Sequence, residues 1–468
     1  MFRFYMNLSL LKNERFLLFL AIVLVFVAFA SLGRFGTNPS SRFMLTKDLV
    51  LYHQLNLSKQ DVDFYSGLDY SKQDGKYFSD KPPGFSFLTV PLYVAGDYLY
   101  KIGISLPRSD SFNYAGDANA FFLIVSFVIF FSAVGSVKFF DTLLLLKFSK
   151  KASLITTIIF SFGTLFFVYS YNLFLHSFVA TLLIFATFYF LKGKKRDLIY
   201  SGILLGFTIL CEYTIILIVP LFVLYLFRIK NFKKNIFYFS IPIVFASSLL
   251  GIYNFLAFGN PFIFSYMIST FVDTQKFDHP MIQGLYELLI SNWRGLFFYN
   301  PIFLLSIFGF FLMWKNYKKE SFLFIFPFLI YLIFYSTYRY LSGGLAYGPR
   351  HLVSIFPFLG FLLAPCFDKK FYTRIQEIGL NERFYFSIVF ILLSISFFHT
   401  LLGIYVTLQA APEIDLNPVY NYSWPYFLRG DKESFLLKNN PQIYYSLLIV
   451  ALVLIAMIFK RGFRNEKN

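Results

Sequence analysis

Apolar runs of bilayer-spanning length follow one another along the chain, separated by polar stretches that hold most of its charge. A helix needs about 20 apolar residues to cross a bilayer. The runs at 16–33, 119–138, 153–171, 174–191, 236–256, 296–314, 321–337, 351–367, 384–407 and 443–459 meet that need. The stretch 198–228 is also apolar but is interrupted by Cys211-Glu212-Tyr213. Strongly basic sequences flank it, KGKKRD (192–197) before and RIKNFKK (228–234) after. Basic flanks belong on the cytoplasmic side, so this stretch is expected to go out and return as two short spans, with Glu212 near the outer tip. The segment 84–103 carries Asp97 and Lys101 and is read as an interfacial helix on the outer leaflet. The fold class expected is an all-α integral membrane protein of about 12 transmembrane helices, with a long first outer loop that carries the interfacial helix. Both termini are expected in the cytoplasm.

Composition agrees with this pattern. Hydrophobic residues make up 57% of the 468 residues and charged residues 14%, against about 25% charged in a soluble domain. The 68 Phe suit a lipid-facing wall and the 34 Tyr the headgroup level. The net charge of +17 would suggest nucleic acid in a soluble protein. Here Lys and Arg outnumber the acids on the side assigned inside and balance them outside, so the excess reports orientation and no nucleic-acid partner is expected. Ala28-Phe29-Ala30 mimics a signal-peptidase site, yet the apolar run before it is long for a signal core, and its loss would leave an odd number of spans. Two Cys build no disulfide framework. The five His show no metal-ligand spacing. The outer carboxylates are able to hold a divalent cation without a diagnostic spacing, and no obligate metal or other cofactor is expected.

Polar residues able to do chemistry gather in the outer loops 34–83, 257–295, 338–350 and 408–442. The first ends in DGKYFSDKPPGFSFLTVPLY (74–93). Pro82-Pro83-Gly84 imposes an extended turn and then permits a helix, which holds Asp80 and Lys81 at the mouth of the bundle. This segment resembles the first outer loop of the type C (GT-C) superfamily of membrane glycosyltransferases, in particular the protein O-mannosyltransferase and lipid A aminoarabinose transferase group. Further pieces fall in matching order: 163–191 resembles the third and fourth spans, and LLGFTILCEYTIILIVPL (204–221) the short fifth and sixth. YNFLAFGNPF (253–262), RGLFFYNP (294–301) and LSGGLAYGPRHLVSIFPFL (341–359) resemble an uncharacterised bacterial branch of that group. The resemblance covers residues 1–366, expected to form the catalytic module; 367–468 would add C-terminal transmembrane helices and the outer loop 408–442.

The resemblance implies a glycosyltransferase at the outer face of the bacterial cytoplasmic membrane. It would move a sugar from a polyprenyl phosphate donor to a lipid, glycan or protein acceptor. A carboxylate would deprotonate the acceptor, and Arg or Lys would stabilise the leaving phosphate. Asp80 is the first choice for the catalytic centre, with Asp69 and Asp48 as alternatives for the base. The group's early acid is missing: Pro39-Ser40-Ser41-Arg42 stands there. His176 stands where the group often has Asp.

Candidate substrate-binding residues are Lys81, Arg42, His176, Glu212, Tyr253, Asn254, Arg294, Arg350 and His351. Each has a bland counterpart. Arg294 and Arg350 open spans from outside and would equally anchor headgroups, and Gly343, Gly344 and Gly348 before Arg350-His351 would let backbone approach a ligand. Glu212 is either a functional intramembrane acid or a solvated hairpin tip. Tyr253 and Asn254 would bond a sugar or pin neighbouring helices, and His176 would contact substrate or complete local structure. A flippase or transporter of lipid-linked sugars is the alternative function; a third is a non-catalytic partner in envelope glycan assembly, which the missing early acid motivates.

Overall fold

The computed structural model describes residues 13–32, 37–63, 69–107, 114–270, 276–372, 376, 381–406, 415–432 and 434–464. Helices occupy every stretch expected to span. Among the described residues five are long and apolar enough to cross a membrane: Ala115–Leu145, Phe232–Phe258, Lys318–Ser336, Glu382–Tyr405 and Pro441–Arg461.

Several stretches read as continuous spans are broken helices. The run 153–171 is a helix Lys150–Phe162 followed, past Gly163-Thr164, by a single turn Leu165–Val168. The runs at 296–314 and 351–367 divide at Pro301, Pro357 and Pro365, each at the start of a new helical piece. Proline lacks the N–H of the helical ladder and clashes with the turn before it, but suits the first turn of a new helix. Apolarity alone does not show such breaks. In the 198–228 stretch the α-helix Lys195–Cys211 stops at Glu212, whose backbone is extended. A 3₁₀ turn Tyr213–Ile218 and a helix Val219–Leu226 follow.

The described residues of the segment expected as an outer loop, 34–83, are largely folded. It contains the helix Thr37–Leu51 and an antiparallel hairpin, Tyr70–Gln73 with Lys76–Ser79, turned by Asp74-Gly75 in positive φ. Helix Thr37–Leu51 is nearly neutral in hydropathy, and its apolar Phe43, Met44 and Leu45 are contiguous, so no helical stripe marks it. Tertiary contact stabilises it instead. Hydroxyls lock it onto the helix Gly84–Lys101 that begins after Pro83: Thr46 Oγ1 lies 3.0 Å from Thr89 Oγ1, and Ser86 Oγ donates to the Arg42 carbonyl at 2.9 Å.

Helix Gly84–Lys101 packs along Ala115–Leu145, and Lys195–Cys211 lies between His176–Lys192 and Phe232–Phe258. One large apolar core runs through the bundle. A smaller cluster, including Met44, Leu57, Phe78 and Phe258, fastens the polar segment to the end of helix Phe232–Phe258. A Cβ on Gly84 would meet the Leu210 backbone at 2.7 Å. That close approach sets the 80–84 turn against the Glu212 break. Cys211 and Cys366 are free and buried.

Candidate active site

A cavity of about 1640 Å³ opens where residues 38–42 and 69–81, the Glu212 break, residues 261–267 and 276–277, and the 338–351 segment meet. Of the twelve residues singled out from sequence, nine line it: Arg42, Asp69, Asp80, Lys81, His176, Glu212, Asn254, Arg350 and His351. Asp48, Tyr253 and Arg294 lie outside the lining.

Asp80 is 1% exposed, and both its oxygens are engaged. Oδ1 accepts from Ser41 Oγ at 3.0 Å, and Oδ2 lies 2.7 Å from Lys81 Nζ. Its carbonyl accepts from Ser265 Oγ at 2.9 Å. Burial pushes the Asp80 carboxyl above its ordinary range, against the pull of Lys81. Lys81 Nζ also stands 3.9 Å from Asp69 Oδ1 and 5.3 Å from the Tyr266 ring centre. Asp80 thus aims a cation rather than standing as an unengaged carboxylate.

Two guanidinium groups complete the cationic wall. Arg42 donates through Nη1 to Asn38 Oδ1 at 2.6 Å, while its buried Nε has no hydrogen-bond partner. Arg350 lies 5.6 Å from the Phe174 ring centre, and its Nε is likewise buried and unpartnered. His351 stacks on Tyr335 at 4.5 Å with Nε2 unpartnered. Buried polar groups normally find partners. Two orphaned guanidinium N–H groups around one cavity mark a place for an acceptor-rich, anionic group.

Glu212 faces this wall. Its Oε1 accepts from Thr214 Oγ1 at 3.2 Å, and Thr214 in turn lies 3.0 Å from Tyr331 Oη. His176 Nδ1 lies 3.3 Å from Ser354 Oγ. Asn254 donates to the Pro261 carbonyl at 3.3 Å and leaves Oδ1 buried without a partner.

The three outlying residues have other surroundings. Arg294 is a clamp: Nε and Nη2 each donate at 2.8 Å, to the carbonyls of Ser342 and Gly344. It therefore shapes the loop that carries Gly343 and Gly344 into the lining. Tyr253 packs beside Phe87 and Phe258. Asp48 accepts from Ser58 N at 2.9 Å beside a second buried cluster, in which Lys47 bridges Asp61 at 2.7 Å and Asp117 at 3.0 Å. Burial, with Asp61 nearby, pushes the Asp48 carboxyl up to about 8.

Beyond the polar head the lining turns apolar along helix Phe232–Phe258, through Val244, Ile252, Phe255 and Leu256, all more than half exposed. Only 28% of the most apolar stretch of that helix is buried. The tyrosines of the wall, Tyr213, Tyr266, Tyr335, Tyr338 and Tyr340, were not picked from the sequence, because nothing local separates them from the other tyrosines.

No protein-family model matches the chain, and no curated protein sequence is significantly similar to it. Solved structures do match. An oligosaccharyltransferase from Archaeoglobus fulgidus in the apo form superposes with a TM-score of 0.50 at 12% identity, over 86% of this chain and 56% of that one. The present chain thus spans little more than half the length of that enzyme. ArnT from Cupriavidus metallidurans superposes with a TM-score of 0.43 when bound to undecaprenyl phosphate, at 12% identity, over 96% of this chain and 75% of that one. In its apo state the score is 0.47, at 13% identity, over 94% and 74%. The chain shares the fold of that archaeal oligosaccharyltransferase.

Proposed function

We propose that the chain is a membrane glycosyltransferase that takes its sugar from a polyprenyl phosphate lipid. The observation that carries this reading is the union, in one cavity, of a cationic polar head and an exposed apolar groove. A lipid phosphate needs both. Lys81, Arg42 and Arg350 would bind the phosphate and stabilise charge developing on it as the sugar leaves. The groove along helix Phe232–Phe258 would take the first isoprene units of the tail. Asn254, His176 and His351 would bond the sugar, and Asp69 lies at Lys81 to adjust its position. The acceptor is a hydroxyl or amine on a lipid, glycan or protein.

The reading includes a topology of twelve crossings, with both termini in the cytoplasm of a bacterial cell and the cavity on the outer face of its cytoplasmic membrane. It is supported by the chain order: the cavity lining draws on three of the four segments read as outer loops, while 192–197 and 228–234 lie at the opposite ends of their helices. Impermeant thiol labelling of intact cells tests it. A cysteine at Lys276 should react and one at Lys233 should not; the reverse pattern overturns the orientation.

The function is tested with purified protein in nanodiscs. Undecaprenyl phosphate should bind, and Arg42→Ala together with Arg350→Ala should abolish binding. Equal affinity of wild type and double variant would overturn the assignment of the cavity.

A further inference from the structure

Resting on the transferase reading, we infer that Glu212 is the general base that deprotonates the acceptor. Among the described residues three carboxylates line the cavity: Asp69, Asp80 and Glu212. Asp80 has both oxygens bonded, one to Ser41 and one to Lys81. Asp69 stands within ion-pair reach of Lys81. Glu212 makes no ion pair among the described residues, although the charges of Arg42, Lys81 and Arg350 all act on it. It is placed close to where a phosphate would be held, yet no cation claims it.

Its environment is built to orient one oxygen and leave the other. Thr214 has a single hydroxyl proton, and it is given to Glu212 Oε1. Tyr331 and Tyr335, at 3.0 Å and 3.4 Å, then act as donors to Thr214. This Tyr–Thr–Glu chain fixes the rotation of the carboxylate, and Oε2 is left for an incoming hydroxyl or amine. The backbone supports the placement. The helix Lys195–Cys211 ends at Glu212, whose extended φ of −152° turns the chain toward the cavity before Tyr213–Ile218 begins.

In the step itself the acceptor O–H or N–H gives its proton to Glu212 Oε2. The acceptor atom forms a bond to the anomeric carbon from the face opposite the phosphate. The anomeric C–O bond breaks, and its electron pair stays on the polyprenyl phosphate, whose added negative charge is met by Lys81, Arg42 and Arg350. The proton on Glu212 passes to water after release. In this arrangement Asp80 is a positioning residue that aims Lys81, and Glu212 performs the proton transfer.

The test uses the full chain in nanodiscs with undecaprenyl phosphate as binding probe. Radiolabelled undecaprenyl-phosphate sugar serves as donor, and water or a bacterial membrane extract as acceptor. Glu212→Gln should keep the undecaprenyl phosphate dissociation constant within threefold of wild type and cut label transfer about 100-fold or more, the range for loss of a general base. Glu212→Asp, which keeps the carboxylate at shorter reach, should recover part of that loss. Transfer by Glu212→Gln at the wild-type rate overturns the inference, as does a loss of undecaprenyl phosphate binding as large as that of the Arg42→Ala, Arg350→Ala double variant. Failure of the wild type to bind undecaprenyl phosphate, or to transfer label to any acceptor, removes the transferase reading and this inference with it.

Discussion

Gly343→Ala separates the role of Arg350 from the general stability of the loop. Gly343 sits at φ +68°, a left-handed conformation that costs an L-residue about 1–2 kcal/mol. An added Cβ would also lie 2.4 Å from Arg350 Nε and 2.9 Å from its Cγ and Cδ. Those atoms form the middle of the side chain, and the Phe174 ring backs the guanidinium, so Arg350 must swing away from its place. Losing one charge-assisted hydrogen bond to a phosphate removes about 1.5–3 kcal/mol of binding, or roughly 10- to 100-fold in affinity. Gly193 supplies the control. It has φ +69° with nothing within 4 Å of an added Cβ, and it lies in the basic turn at the far ends of its helices. Both alanine variants should lose thermal stability in detergent, Gly343→Ala the more because it also displaces Arg350. Only Gly343→Ala should weaken undecaprenyl phosphate binding, measured by native mass spectrometry. Wild-type affinity in Gly343→Ala, beside the expected loss of stability, would refute the placement of Arg350 at the phosphate.

Other variants probe the supporting structure. Arg294→Lys keeps the charge but reaches only one of the two carbonyls at Ser342 and Gly344, so unfolding should become easier by about 1.5–3 kcal/mol; unchanged denaturation would contradict the clamp. Lys81→Met leaves Asp80 buried without its cation and should cost about 3–5 kcal/mol, most of it recovered when Asp80→Asn is added, as chemical denaturation of the wild type and the two variants would show. Asp48 titrates at about 8 in the folded chain because burial, joined by Asp61, holds the proton on. A protonated Asp48 donates to Asp61, whereas the ionised form leaves Oδ1 buried without a partner. The raised folded-state value means that its stabilising contribution is complete below the unfolded value near 3.8 and is lost as pH rises through about 8. Asp48→Asn should therefore raise the melting temperature more at pH 9 than at pH 5; an equal shift at both would contradict it.

The helical bundle was readable because a bilayer-spanning helix must be apolar for most of its length, a constraint written into contiguous residues. The Glu212 break was readable as well, since an acid in a 30-residue apolar stretch with basic flanks has few places to go. Helix Thr37–Leu51 was not. Its order comes from hydroxyl contacts with helix Gly84–Lys101, and those partners are separated by some forty residues of chain. The hairpin, by contrast, carried a local signal in Asp74-Gly75, a dipeptide suited to a two-residue turn with positive φ. At the site, charged residues beside turn signals proved informative because three of the polar segments, 34–83, 257–295 and 338–350, contribute them to one cavity. Arg294 shows the limit. Its sequence setting matches that of Arg350, yet it points at backbone carbonyls, and only the three-dimensional path of the 342–344 loop distinguishes the two. The tyrosine wall is unreadable for the opposite reason: tyrosine is so common in this chain that position alone decides its use.

The most direct test is an experimental structure of the chain with undecaprenyl phosphate in a nanodisc. Phosphate density is expected within hydrogen-bond distance of Lys81, Arg42 and Arg350, with the isoprenoid tail against Val244, Ile252 and Phe255. A phosphate bound outside this cavity, or a tail lying on another face of the bundle, would contradict this placement.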